Sequence, residues 1–153
     1  MSAAINPFDW RTVLLAKHAQ HVVLIHFPIA LYMAGVAADL LTRIMRRAEF
    51  ATVAYWNLTI AAVFTVPVVA TGLLAWQWQL EGQKLKGILL YHLVLALTSS
   101  VFIVLTWLLQ FMARRKDKIA SGMVSVTIEI IGVLLITLTG HLGGFLSGVN
   151  GPS

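Results

Sequence analysis

The chain has 153 residues, of which 59% are apolar and only 11% charged, with a formal net charge of +5 and a mean hydropathy of +0.85. A soluble domain carries about a quarter charged residues, so this is the composition of a membrane protein. Cysteine is absent, which excludes disulfides, thiolate metal sites, cysteine-ligated iron–sulfur clusters and covalent haem attachment.

Residues 1–21 are expected to form an N-terminal interfacial segment. Asn6-Pro7 suits an N-cap followed by a first helical residue, Asp9 favours the first turn, and Trp10, Val13 and Leu14 would rest at the headgroup level. The alternative is a helix running straight into the first span. The first long apolar run has its positive cluster (Arg43, Arg46, Arg47) after it, the reverse of a secretory leader, so no cleavable signal is expected.

Four apolar runs follow, at about 22–44, 53–80, 88–112 and 119–146. Each reaches the roughly 20 residues that cross a ~30 Å hydrocarbon core. Pro28 and Pro67 are read as helix-shaping residues. Tyr55 and Trp56 at one end of the second run, and Trp76 and Trp78 at the other, look like two interfacial aromatic belts. Residues 149–153 form a short tail. With no visible repeat, residues 22–148 are expected to be one domain: an all-α integral membrane protein, an antiparallel four-transmembrane-helix bundle.

Basic residues assign the sides. Arg43, Arg46, Arg47, Arg114, Arg115, Lys116 and Lys118 fall in the first and third links, against Arg11, Lys17, Lys84 and Lys86 on the opposite side. By the positive-inside rule the first group is cytoplasmic, so the chain is expected in the bacterial cytoplasmic (inner) membrane with both termini outside. The positive charge therefore serves orientation, and no nucleic-acid partner is expected.

This topology brings His26, His92 and His141 to one depth, about a helical turn below the outer surface, with His21 slightly above. His21 and His26 are five residues apart, about 140° round a helix, so they do not both point at one centre. Such a layer could ligate a haem iron or another metal, since imidazole is the usual axial ligand of b-type haem and also suits copper and zinc. Gly140 and Gly144 flank His141 with a smooth surface, fit for a partner helix or a flat macrocycle. The opposite reading is that these histidines bond to headgroups, water or neighbouring helices. Toward the cytoplasmic side, Asp39 stands four residues before Arg43, the spacing of a helical ion pair. Glu129 has no basic neighbour close on its own helix. It pairs with Arg43, carries a proton as part of a proton path, or is a structural acid.

At His21-x4-His26-Phe-Pro-Ile-Ala-Leu31, Thr71-Gly72-Leu-Leu-Ala-Trp76, His92 and Thr139-Gly-His141-Leu-Gly-Gly144, the chain resembles a family of bacterial four-span membrane proteins catalogued as a domain of unknown function. The likeness covers about residues 21–148. Val22 departs from a frequent proline, Ala75 from a common acid before the tryptophan, and Phe145-Leu-Ser-Gly from a polar–tyrosine ending. The resemblance implies the four-span topology and supplies no reaction.

The expected function is a haem b-binding subunit passing electrons between the quinone pool and a periplasmic redox partner within a larger membrane complex. The ligands would be drawn from His26, His92 and His141, with His21 as an alternate. The alternatives are a cofactor-free structural or anchoring subunit and a copper- or zinc-binding membrane protein. No hydrolase triad, phosphate loop or metalloprotease motif is present, so a non-catalytic subunit is expected rather than a stand-alone enzyme.

Overall fold

The computed structural model describes residues 17–79, 81–82 and 84–148. The expected interfacial helix and the C-terminal tail lie outside the described residues. Four helices follow in order: α1 (Lys17–Met45), α2 (Ala48–Gln79), α3 (Gly87–Arg115) and α4 (Met123–Leu146). All four are long and apolar enough to cross a membrane, and no strand occurs among the described residues. An α-helix satisfies most of its backbone polar groups internally, as the hydrocarbon core demands.

The helix ends differ from the sequence expectation where local turn chemistry intervenes. Helix α1 already includes His21, and α2 begins at Ala48, five residues before the expected 53. Arg46 takes a left-handed conformation (φ 55°) and its N–H returns to the Thr42 carbonyl at 2.8 Å, so the chain reverses over Arg46 and Arg47 alone. Between α3 and α4, Asp117 is left-handed (φ 52°), and the N–H groups of Lys116 and Lys118 both bond to the Ala113 carbonyl. That turn delays α4 from the expected 119 to Met123. Pro28 and Pro67 both sit inside continuous helices.

The bundle is built from two hairpins. Helix α1 packs most extensively on α2 and α3 on α4, while contacts across the hairpins run from α2 to α3 and, more sparsely, from α1 to α4. Helices α1 and α3 are therefore diagonal. Small residues bring α1 and α2 close: Ala54, Ala61 and Ala62 are buried, and Gly35 lies so near Leu58 that a Cβ there would stand 2.8 Å from Leu58 Cγ. In a bilayer such close approach, rather than a hydrophobic driving force, draws helices together. Phe27 and Phe64 stack at 5.0 Å across the same hairpin. Large apolar side chains such as Ile44, Val66, Met123 and Val124 face outward, where lipid would be.

Tyr32 is the largest fully buried side chain, and its phenol lies against Gly132 of α4. A Cβ at Gly132 would collide with the Tyr32 hydroxyl, whereas nothing lies within 4 Å of one at Gly122. Gly132→Ala should therefore destabilise the fold by about 1–3 kcal/mol through overpacking. Thermal unfolding in mild detergent checks this, with Gly122→Ala expected to stay close to wild type.

Candidate functional site

The polar groups inside the bundle gather near the end that carries Arg43 and Arg114, called here the basic end. Asp39 of α1 is fully buried, and Arg43, one turn on, donates Nε–H to its Oδ2 at 2.6 Å. The same guanidinium crosses to the second hairpin, where its Nη2 donates to Ser121 Oγ, in the link before α4, at 3.1 Å and to Ser125 Oγ of α4 at 2.9 Å. From the diagonal helix α3, the Gln110 amide nitrogen donates to Asp39 Oδ1 and, at 3.4 Å, to Glu129 Oε1. Glu129 of α4 is fully buried, and its Oε2 has no hydrogen-bond partner among the described residues.

Two carboxylates and one guanidinium thus share a dry space. Removing a charge from water costs several kcal/mol even after relaxation, and the cost is met only by close, well-oriented partners. Asp39 has them on both oxygens. Glu129 has one long bond from Gln110. The i,i+4 ion pair read from the sequence is present, but the hydrogen bonds of Arg43 go to Asp39 and the two serines rather than to Glu129.

A turn and more toward the other end, the Tyr32 and Thr106 hydroxyls lie 3.0 Å apart, and the phenol also donates to the Glu129 carbonyl at 3.4 Å. Buried Ile103 and Ile136 follow and interrupt the polar groups. Beyond them Ser99 Oγ meets Thr139 Oγ1 at 3.0 Å, close to His92. Most of these bonds tie one hairpin to the other, and Trp107 adds another by donating to Thr59 Oγ1 at 3.1 Å.

The four imidazoles do lie at the opposite end of the bundle, but they do not converge. His21 bonds through Nδ1 to Thr71 Oγ1 at 3.2 Å within the first hairpin, against Gly72. His92 bonds through Nδ1 to the Thr139 carbonyl at 3.1 Å within the second, against Gly143. His26 is exposed and bonds through Nδ1 to the Val22 carbonyl one turn back, at 2.7 Å. His141 is exposed and meets Phe145 edge-on. Gly140 faces Ile29 of α1 at ordinary contact distance, so this glycine seats a helix. Among the described residues no three histidine, aspartate or glutamate side chains are grouped to hold a metal ion. Within the chain His26 and His141 are exposed, while His92 is tied to the Thr139 carbonyl. Depth follows from helical rise, whereas direction depends on helix phase, and phase turns His26 and His141 outward.

The hydrogen bonds fix which ring nitrogen carries the proton. A carbonyl only accepts, so His92 and His26 hold theirs on Nδ1. The Thr71 hydroxyl donates to the Pro67 carbonyl at 2.8 Å, so it accepts from His21 Nδ1. In each neutral ring the lone pair is then on Nε2.

The two hairpins repeat a pattern that no local motif announces. Eighteen positions separate His21 from Asp39 and His92 from Gln110 alike, and twenty-two separate His21 from Arg43 and His92 from Arg114. Thr71, beside Gly72, and Thr139, beside Gly140, bond to the matching histidines His21 and His92. Asp39 and Gln110, at equivalent positions, bond directly to each other. Comparing α1 with α3 at this spacing is the signal that would have found Gln110 and revealed the repeat.

These features define a four-span membrane bundle of two hairpins docked through buried polar side chains. The chain belongs to the DUF2231 family of predicted membrane proteins, whose family model matches residues 17–151. No curated protein and no solved structure is detectably similar.

Arg43→Ala would leave Asp39 buried without its ion-pair partner, which should cost about 3–5 kcal/mol. Adding Asp39→Asn removes the uncompensated charge and should recover part of that loss. Unfolding of the two variants in lipid nanodiscs checks the order, with the double variant expected to be the more stable.

Proposed function

We propose that the protein is a proton-carrying subunit of a larger assembly in the bacterial inner membrane, in which Asp39 and Glu129 share one proton. The observation that carries this reading is Glu129 Oε2, fully enclosed and without a hydrogen-bond partner among the described residues, beside a second carboxyl group. A proton on that oxygen makes it a donor and brings the charge of the pair and Arg43 to zero. Gln110, bonded to both carboxyl groups, keeps them in register as the proton is taken up or released. Arg43, with a fifth of its side chain exposed, lies between the pair and the basic end, the shorter way to water. By the positive-inside rule that end faces the cytoplasm. Ionisable side chains inside a bilayer are expensive and commonly serve proton relays. The links between the helices are short, which supports a role within an assembly.

Infrared spectroscopy of the protein in lipid bilayers tests the shared proton. At neutral pH the wild type should show the carbonyl stretch of one buried neutral carboxyl group, shifted in deuterium oxide and missing in Glu129→Gln. An unchanged band in Glu129→Gln, or no such band in the wild type, would overturn the reading.

A second reading keeps a redox cofactor at the histidine end and rests on the protonated Nδ1 atoms. A ring held through Nδ1–H by a carbonyl, as His26 and His92 are, presents Nε2 as a ligand atom, the usual arrangement of ligating histidines. His26 and His141 are exposed there, so haem b, copper or zinc would be held at the bundle surface against another subunit, with quinone as the membrane redox partner. Protein purified from haem-replete cells should then show b-type bands on reduction, or carry stoichiometric metal, and lose either in His26→Ala. A colourless, metal-free preparation would exclude it.

A further inference from the structure

At the basic end, the start of α2 and the end of α3 leave an open cleft of about 170 Å³. Its walls include Ala48, Thr52 and Ile119, its cations are Arg114 and Lys118, and Gln110 contributes a side chain that is itself buried. Among the described residues the ion pair is Asp39–Arg43, and neither cation of the cleft has a carboxylate partner. The Arg114 guanidinium is held over the Tyr55 ring at 4.4 Å, which fixes its position and leaves its N–H edge available for an acceptor.

We propose that this cleft seats the phosphate of an anionic lipid headgroup. Two unpaired cations on one helix end and the following link supply the charge. Ala48, the first residue of α2, stands at the same mouth. Ala48, Ala51 and Ile119 line an apolar wall suited to glycerol and the first acyl carbons. A soluble phosphate would use the cations but not that wall. Basic clefts between membrane helices on the cytoplasmic side are a recurrent way to hold acidic lipids. The site is separate from the carboxyl pair, although Gln110 touches both, so a seated lipid would press on the side chain that bridges Asp39 and Glu129.

The full chain in nanodiscs, titrated with spin-labelled phosphatidylglycerol against spin-labelled phosphatidylcholine, tests the assignment. The wild type should prefer the anionic lipid by about tenfold, as two cations near the surface allow. Arg114→Gln with Lys118→Gln should reduce that preference at least threefold. Arg46→Gln with Arg47→Gln, which removes the same charge from the other link, should leave it unchanged. Equal loss in both double variants would reduce the effect to general charge attraction and overturn the site. So would the absence of any preference in the wild type. Inorganic phosphate, titrated by calorimetry into nanodiscs of phosphatidylcholine alone, should give no saturable binding in the millimolar range, and saturable binding there would assign the cleft to a soluble anion instead. The infrared band of the carboxyl pair should persist in both double variants.

Discussion

A carboxylate at the centre of a membrane bundle has to be compensated where it stands, and the arrangement of this protein follows from how Asp39 is compensated. Arg43 lies on its own helix, but Gln110 comes from the diagonal helix, where it also bonds to Glu129 of the second hairpin. The two hairpins pack tightly within themselves and more sparsely against each other. Polar bonds supply what apolar contact between the hairpins does not, which is the role such groups take where lipid removes the hydrophobic incentive to associate.

The two ends of the bundle divide the chemistry. The basic end holds the carboxyl pair, its arginine and an open cleft lined by cations. The other end holds imidazoles, each tied to a carbonyl, a hydroxyl or a neighbouring ring. Between them Ile103 and Ile136 form an apolar layer, so the polar groups make two separate clusters and not one continuous line.

Much of the architecture was legible in the sequence because length and hydropathy act locally: four runs long enough to cross a bilayer became four helices. Asp39 and Arg43 could be paired from spacing alone. Gln110, Tyr32, Thr106, Ser121 and Ser125 were not singled out, since a lone polar residue in an apolar run gives no periodic signal and their partners lie on other helices. The histidines show the limit from the other direction. Their shared end was readable from topology, yet the directions of His26 and His141 depend on helix phase, which only packing settles. The repeated spacing from His21 to Asp39 and from His92 to Gln110 carried information about the joint that neither helix displays by itself.

The central claim is that the joint between Asp39 and Gln110 holds the hairpins together. A double-mutant cycle with Asp39→Leu and Gln110→Leu, read from reversible unfolding in bilayers, measures it most directly. Interhelical hydrogen bonds in membrane proteins average about 0.6 kcal/mol in such cycles. A buried, charge-assisted bond on the bundle diagonal should exceed that, with a coupling of about 1.5 kcal/mol or more. A coupling indistinguishable from zero would mean that the hairpins are held by other contacts and would contradict the account.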